Sequence, residues 1–351
     1  MKTTIPVLKA GLCAYGMSGK VFHAPFLHTH PGFQLYAIVE RHAKTAREDY
    51  SEALSYASVE ELLEDKNIDL VVVNSPNITH YDFIKRALLA GKHVIAEKPF
   101  TATANEAAEL IRLARLQNKF LVVFQNRRWD SDYLAVKQVV REQLIGELIE
   151  AEFHFDRYRM ELSPKKHKEI PRPGVGNIYD LGPHIVDQAI DLLGKPEGVF
   201  GIVQTHRAAA TVDDFFEITL LYHHLTVTLK SSLLVREPVP AYILQGTLGS
   251  FLKPRADVQE TDLQAGKLPA GKNWGREPAS GKGLLHTLIN GEPVREKLVA
   301  PPGNYHHFYT GVYEAIVHGK PSPVPLADSL LNMQIIEAAL QSSRERQVVN
   351  L

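Results

Sequence analysis

Residues 7–19, VLKAGLCAYGMSG, run from a short apolar segment into a turn with glycines at positions 16 and 19, and a helical stretch follows. The segment's reading depends on what comes after it. Further apolar runs follow at FQLYAIV (33–39), IDLVVVN (68–74), KHVIAEK (92–98) and FLVVFQN (120–126). Continuous Val/Ile-rich runs suit strands buried on both faces of a parallel sheet. Helical stretches with clear punctuation lie between them. Ser58 stands three residues before Glu61, a capping-box pattern. HYDFIKRALLAG (80–91) ends on Gly91, and residues 102–118 are rich in Ala, Leu, Glu and Arg. Strand–helix alternation at this spacing predicts a doubly wound α/β domain over residues 1–126.

Beyond residue 126 the pattern changes to period-two alternation, in 147–159, 198–207, 214–222, 225–234 and 241–253. This predicts an α+β domain over residues 127–351, with an antiparallel or mixed open sheet covered on one face. Helices are expected at 180–194, 305–319 and 326–346, and a long loop at 253–283. A soft prior of roughly 150 residues per domain agrees with two domains in a chain of 351 residues.

Composition removes several classes. Lys+Arg number 39 and Asp+Glu 40, a net charge of −1, so no basic excess speaks for nucleic acid. Apolar residues at 44% and charged residues at 23% are ordinary globular values. The single cysteine excludes a disulfide framework within the chain and a thiolate zinc site. No apolar run approaches the roughly 18 residues of a membrane span. The N-terminal residues lack an apolar h-region with a cleavage site, so a cytoplasmic protein without membrane attachment is expected. Sixteen histidines are the unusual count. No compact metal motif accompanies them, so no metal is expected.

The turn after the first strand is a degenerate dinucleotide fingerprint. Gly16 and Gly19 match its second and third glycines and Ala14 replaces the first, with Met17 and Ser18 between. The acidic residue expected at the end of the second strand is Glu40 in AIVER. Its carboxylate would accept from the adenosine ribose and favour NAD; Arg41 beside it could instead meet the 2′-phosphate of NADP. Glu40 could also simply end a strand.

Further strings carry chemistry. AEKPF puts Glu97 and Lys98 at a buried strand's carboxyl end, NRRWDSD puts Arg128 and Trp129 at the next, and YDLGPHIVDQ places Asp180 and His184 four apart on a helix. Each has a plain structural alternative: Asp180 as a helix cap, His184 as a packed histidine, Lys98 as a solvated charge, Trp129 and Cys13 as core.

With FHAPF (22–26) and SPNITH (75–80), these strings make the chain resemble, over nearly its whole length, the Gfo/Idh/MocA oxidoreductase family, in the branch holding scyllo-inositol dehydrogenases. The resemblance implies a Rossmann domain followed by a domain with a large open mixed sheet. It also implies NAD(P)-dependent hydride exchange with a carbinol or keto group of a cyclic polyol or sugar. The family's catalytic Lys, Asp and His fall on Lys98, Asp180 and His184, and its nicotinamide-side contacts on Ser75, Pro76, Asn77, His80, Arg128 and Trp129. Tyr158 and Tyr305 are candidate substrate contacts, and a homodimer or homotetramer formed through the C-terminal sheet is expected. The alternatives are an NAD-dependent glycoside-processing enzyme of the same fold and a non-catalytic NAD(P)-binding regulator.

Overall fold

The computed structural model describes residues 6–41, 44–165 and 168–351; the first five residues, on which part of the leader reading rests, lie outside that range. The chain divides into two compact units, and each is taken by itself. The first comprises residues 1–126, 259–274 and 304–330, the second 127–258, 275–303 and 331–351. Residues 259–274 and 304–330 thus pack with the N-terminal sheet although they come late in the chain.

The first unit is built on strands β1 (Leu8–Leu12), β2 (Phe33–Val39), β3 (Leu54–Tyr56), β4 (Leu70–Val73), β5 (His93–Ala96) and β6 (Leu121–Val123). Their order is β3-β2-β1-β4-β5-β6 and every pairing is parallel, the arrangement of a dinucleotide-binding sheet. The apolar runs form strands because both faces are covered: Leu70 to Val73 are wholly buried. Thr103 and Glu106 close a reciprocal capping box at the start of helix Ala104–Leu116, and Gly91 takes φ 74° beyond helix His80–Leu89. After Gly19 the chain winds first as a π-turn (Gly19–His23) and then as a short α-helix (Ala24–Thr29). Helix His306–His318 joins this unit through aromatics, with Tyr309 stacked on Phe26 at 5.3 Å.

The second unit carries a mixed sheet. Its strands are β7 (Leu148–His154), β8 (Gly198–Gln204), β9 (Phe215–Leu221), β10 (Thr226–Ser232), β11 (Tyr242–Gly246), β12 (Gly249–Lys253), β13 (Gly283–Ile289), β14 (Glu292–Leu298) and β15 (Val349–Asn350). Among the described residues the order is β14-β13-β12-β11-β7-β10-β9-β8-β15, with β7 and β10 parallel and the other pairs antiparallel. Period-two patterning has its expected cause: Phe216, Ile218 and Leu220 are buried and alternate with half-buried neighbours. Residues 241–253, read as one segment, fold as a β11–β12 hairpin. A second hairpin, β13–β14, turns at Asn290 and Gly291, both with positive φ. The expected loop at 253–283 contains a short helix, Gln259–Gln264. Gln259 is buried there because its side-chain oxygen accepts the Tyr305 N–H at 2.8 Å. No helix among the described residues is long and apolar enough to cross a membrane.

Candidate functional site

In the first unit the residues of interest gather at the carboxyl ends of β1, β4 and β5. Beyond β1 the chain is held by a residue the sequence reading passed over. The Asn74 side chain accepts the Ala14 N–H at 3.0 Å and donates to the Ala14 carbonyl at 2.8 Å. Its signal was a lone amide closing an apolar run. Ala14 does not take a positive φ, so this turn does not need its first glycine. Gly19 is different: a Cβ there would stand 2.4 Å from the Ala14 carbonyl oxygen and 2.8 Å from Asn74 Nδ2. This is the close helix–strand packing that the third fingerprint glycine serves. At Gly16 a Cβ would meet nothing within 4 Å, so the turn leaves open space where a pyrophosphate would approach. Met17 is exposed beside it. The turn therefore fits a dinucleotide.

Behind the turn, Ser18 Oγ donates to Glu97 Oε1, while Glu97 Oε2 accepts the Lys98 N–H at 3.0 Å. His23 Nε2 lies 3.1 Å from Glu97 Oε1 and its Nδ1 lies 2.9 Å from the Tyr309 hydroxyl. Burial alone would raise the Glu97 carboxyl. The hydrogen bond and charge of His23, the Ser18 hydroxyl and the Lys98 charge prevail and hold it down at about 2. Lys98 itself is half-buried at the end of β5, before a cis bond to Pro99.

His80 is 1% exposed, its ring nitrogens 2.8 Å from the Pro99 carbonyl and 3.0 Å from the Ser75 carbonyl. It ties the loop after β4 to the loop after β5. Burial pushes its pKa down against those two carbonyls. Ser75 Oγ pairs with Thr79 Oγ1 at 2.6 Å, and the Pro76 carbonyl accepts the Thr79 hydroxyl at 2.7 Å, so Ser75 to Asn77 form a tight turn. Burial pushes the Cys13 thiol up to about 12, which leaves it an inert packing residue.

Glu40 stands at the end of β2, as expected, with partners of its own there. It is buried, and its carboxylate accepts the Ala46 N–H at 2.9 Å and the Ser55 hydroxyl at 3.0 Å. Arg41, Lys44 and Arg47 around it are exposed. Tyr305, the first-unit candidate for substrate contact, is wholly buried among Phe22 and Phe26.

In the second unit, Asp180 and His184 do not share one uninterrupted helix. Asp180 closes the turn Asn177–Asp180 and His184 sits in the first turn of helix Gly182–Leu193, after Pro183. The Ile178 N–H donates to Asp213 Oδ2 at 2.7 Å, and Gly176, at φ 117°, passes so close that a Cβ would lie 1.8 Å from Asp213 Oδ1. Burial pushes the Asp213 carboxyl up to about 6. Asp180 is partly exposed, with Lys168 Nζ 3.5 Å away. His184 is 6% exposed and stacks on Phe155 at 5.9 Å. Arg255, Arg127 and Arg157 stand 4.3, 5.0 and 5.5 Å from the same ring, a basic surround that the sequence did not reveal.

Arg128, expected as a cofactor contact, is engaged with two carboxylates of its own unit. It is 5% exposed and grips Asp187 through two bonds of 2.8 Å, with a third to Asp191 at 3.1 Å. Trp129 ends a short 3-10 turn, Asn126–Trp129, and is half-buried. Tyr158 is exposed and accepts from Arg236 at 2.7 Å. Among the described residues no group of three or more His, Cys, Asp or Glu is arranged to hold a metal.

Comparison with known proteins agrees with this geometry. Residues 8–125 match the model described as "Oxidoreductase family, NAD-binding Rossmann fold", and residues 137–351 its C-terminal alpha/beta domain. The scyllo-inositol 2-dehydrogenase (NADP+) IolW of Bacillus subtilis is 34% identical, over 99% of this chain and 97% of its own. An uncharacterized oxidoreductase of Schizosaccharomyces pombe is 37% identical, over 99% of this chain and 100% of its own. A crystal structure of an oxidoreductase from Bacteroides fragilis superposes with TM-score 0.91 at 46% identity, covering 98% of this chain and 100% of that one. The chain belongs to the Gfo/Idh/MocA oxidoreductase family, with an NAD-binding Rossmann fold followed by the family's C-terminal α/β domain.

Proposed function

We propose that this chain is a nicotinamide-dinucleotide-dependent dehydrogenase acting on a carbinol or keto group of a cyclic polyol or sugar. One observation carries the reading. The glycine turn follows β1 and Lys98 follows β5, so both stand at the carboxyl edge of one parallel sheet, where open α/β sheets hold their ligands. The name of the Bacillus subtilis relative supports the polyol class.

A bound nicotinamide dinucleotide supplies hydride acceptance and return. The protein supplies charge, orientation and proton transfer. Lys98 holds its ammonium toward the substrate oxygen and stabilises the alkoxide character that develops as the carbon–hydrogen bond weakens. His184 removes the hydroxyl proton, a task suited to an imidazole at neutral pH. Asp180 holds that ring or a neighbouring substrate hydroxyl in place.

The surroundings of Glu40 support NADP over NAD. Its carboxylate already serves the Ala46 N–H and the Ser55 hydroxyl, while Arg41, Lys44 and Arg47 present positive charge in the same segment. We further expect two or four copies to associate through the second unit's sheet, with light scattering at a monomer mass as the refuting result.

The test is reduction of NADP and NAD with a panel of inositols, aldoses and glycosides. Dinucleotide binding without turnover on any of them would reject the dehydrogenase reading in favour of a sensor. His184→Ala should lower kcat by about 10²–10⁴-fold while leaving dinucleotide affinity within about twofold. Near-normal activity would remove His184 from the base role.

A further inference from the structure

The buried cluster behind the glycine turn has a proton inventory that fixes its charges. The Tyr309 hydroxyl has one hydrogen, and it donates that hydrogen to the Phe22 carbonyl at 2.6 Å. Its oxygen therefore accepts from His23 Nδ1 at 2.9 Å, and Nδ1 carries a proton. Nε2 faces a carboxylate oxygen at 3.1 Å. That carboxylate also receives the Ser18 hydroxyl on the same oxygen and the Lys98 N–H on the other. Several donors converging on one carboxylate favour its ionised form, which leaves the shared proton on Nε2. His23 is then an imidazolium at 0% exposure, locked between Glu97 and Tyr309.

This arrangement solves a conflict. Glu97 joins the glycine turn, through Ser18, to the main chain of Lys98. Yet a lone carboxylate behind that turn would repel the pyrophosphate the turn is shaped to receive. We propose that His23 is a positioning residue whose positive charge cancels that of Glu97, so that Glu97 can brace the cofactor turn and Lys98 without opposing an anionic dinucleotide. This rests on the dinucleotide reading of the turn given above. It assigns to the FHAPF segment a role in cofactor affinity, not in the chemical step.

The experiment uses the full chain and measures NADPH binding by fluorescence titration, alongside ¹⁵N NMR of the His23 ring at neutral pH. The expected ring signals are those of two protonated nitrogens. His23→Gln keeps a donor and removes the charge; it should weaken NADPH binding about tenfold, the scale of one unit charge acting across roughly 10 Å of protein. The double variant, His23→Gln with Glu97→Gln, should bind more tightly than His23→Gln alone, because it leaves no unbalanced carboxylate behind the turn. In turnover assays the His23→Gln defect should fall on the KM for dinucleotide, with kcat nearly kept.

Three results overturn the proposal: a neutral His23 ring, His23→Gln binding as well as the parent, or a double variant no better than His23→Gln. If His23→Gln does not fold, the ring spectrum of the parent decides, and a neutral ring overturns the proposal. Absence of dinucleotide binding by the parent would instead strike down the cofactor reading itself.

Discussion

Replacing Arg128 by methionine separates two roles that its position leaves open. The guanidinium is buried, clamps Asp187 with two bonds of 2.8 Å and reaches Asp191 at 3.1 Å. Asp191 has other support, from Lys137 Nζ at 2.7 Å and the Tyr133 hydroxyl at 2.7 Å. Asp187, 1% exposed, would stay buried without its guanidinium. Breaking a buried pair by removing one partner costs about 3–5 kcal/mol. For a unit of this size each kcal/mol lowers Tm by about 2–4 °C, so Arg128→Met should melt roughly 10 °C early. Converting the pair together, Arg128→Met with Asp187→Leu, should recover most of that loss, because no buried charge is then left behind. Asp187 lies on the same helix as His184, so kcat should fall in the single variant while NADPH affinity holds. Scanning calorimetry and a fluorescence titration read the two effects separately. The reasoning is refuted if Arg128→Met melts within about 2 °C of the parent and loses dinucleotide affinity, the pattern of a cofactor contact.

Three further outcomes follow from the geometry. Gly19→Ala drives a Cβ against the Ala14 carbonyl and should both destabilise the chain and weaken dinucleotide binding; Gly16→Ala, into open space, should leave Tm unchanged and weaken only binding. Equal Tm for the two variants would contradict the packing described. The Asp213 carboxyl, pushed up from 3.8 to about 6 by burial, makes a pH-dependent contribution. Because its folded value lies above its unfolded one, its stabilising share is complete below about pH 4 and is lost as pH rises through about 6. Asp213→Asn keeps an acceptor for the Ile178 N–H. It should therefore match the parent near pH 4 and exceed it by roughly 3 kcal/mol near pH 8 in urea unfolding; a difference independent of pH would reject this. Arg41→Ser should raise the KM for NADP about tenfold with little change for NAD, and an unmoved ratio of the two would count against the 2′-phosphate role.

The parallel sheet of the first unit was legible because strands buried on both faces leave uninterrupted apolar runs, and glycine stops such as Gly91 mark the helix ends. The β13–β14 hairpin was missed although Asn290-Gly291 is a strong local turn signal: β14, EPVREKL, carries too few apolar residues to alternate visibly. Contacts distant in sequence were out of reach. Arg128 stands at a strand end, where ligands collect, and nothing local says that Asp187, 59 positions on, will claim it. The pair Asp187 and Asp191, one helical turn apart and facing inward, was the hint available. The partners of Glu40 were out of reach for the same reason. The fingerprint expects an acid at that position, but only the fold shows that the Ala46 N–H and Ser55 already use it.

Four of the polar side chains buried in the first unit gather at one edge of its sheet. Asn74, His80, Glu97 and His23 all lie at the carboxyl ends of β4 and β5 or directly behind the turn after β1. Burying such groups costs stability unless they find partners, and here the partners are main-chain atoms of the loops together with the Ser18 and Tyr309 hydroxyls. Asn74 holds Ala14, His80 holds the carbonyls of Ser75 and Pro99, and Glu97 holds Ser18 and the Lys98 N–H. Loops braced from behind need no side chain on their outer face, and Gly16 leaves that face open. Two of the sixteen histidines are accounted for by this bracing, with no metal invoked. His23 meets two acceptors, Glu97 and the Tyr309 hydroxyl, from one rigid ring, while His80, which burial holds toward the neutral form, has one N–H to give to the carbonyls of Ser75 and Pro99.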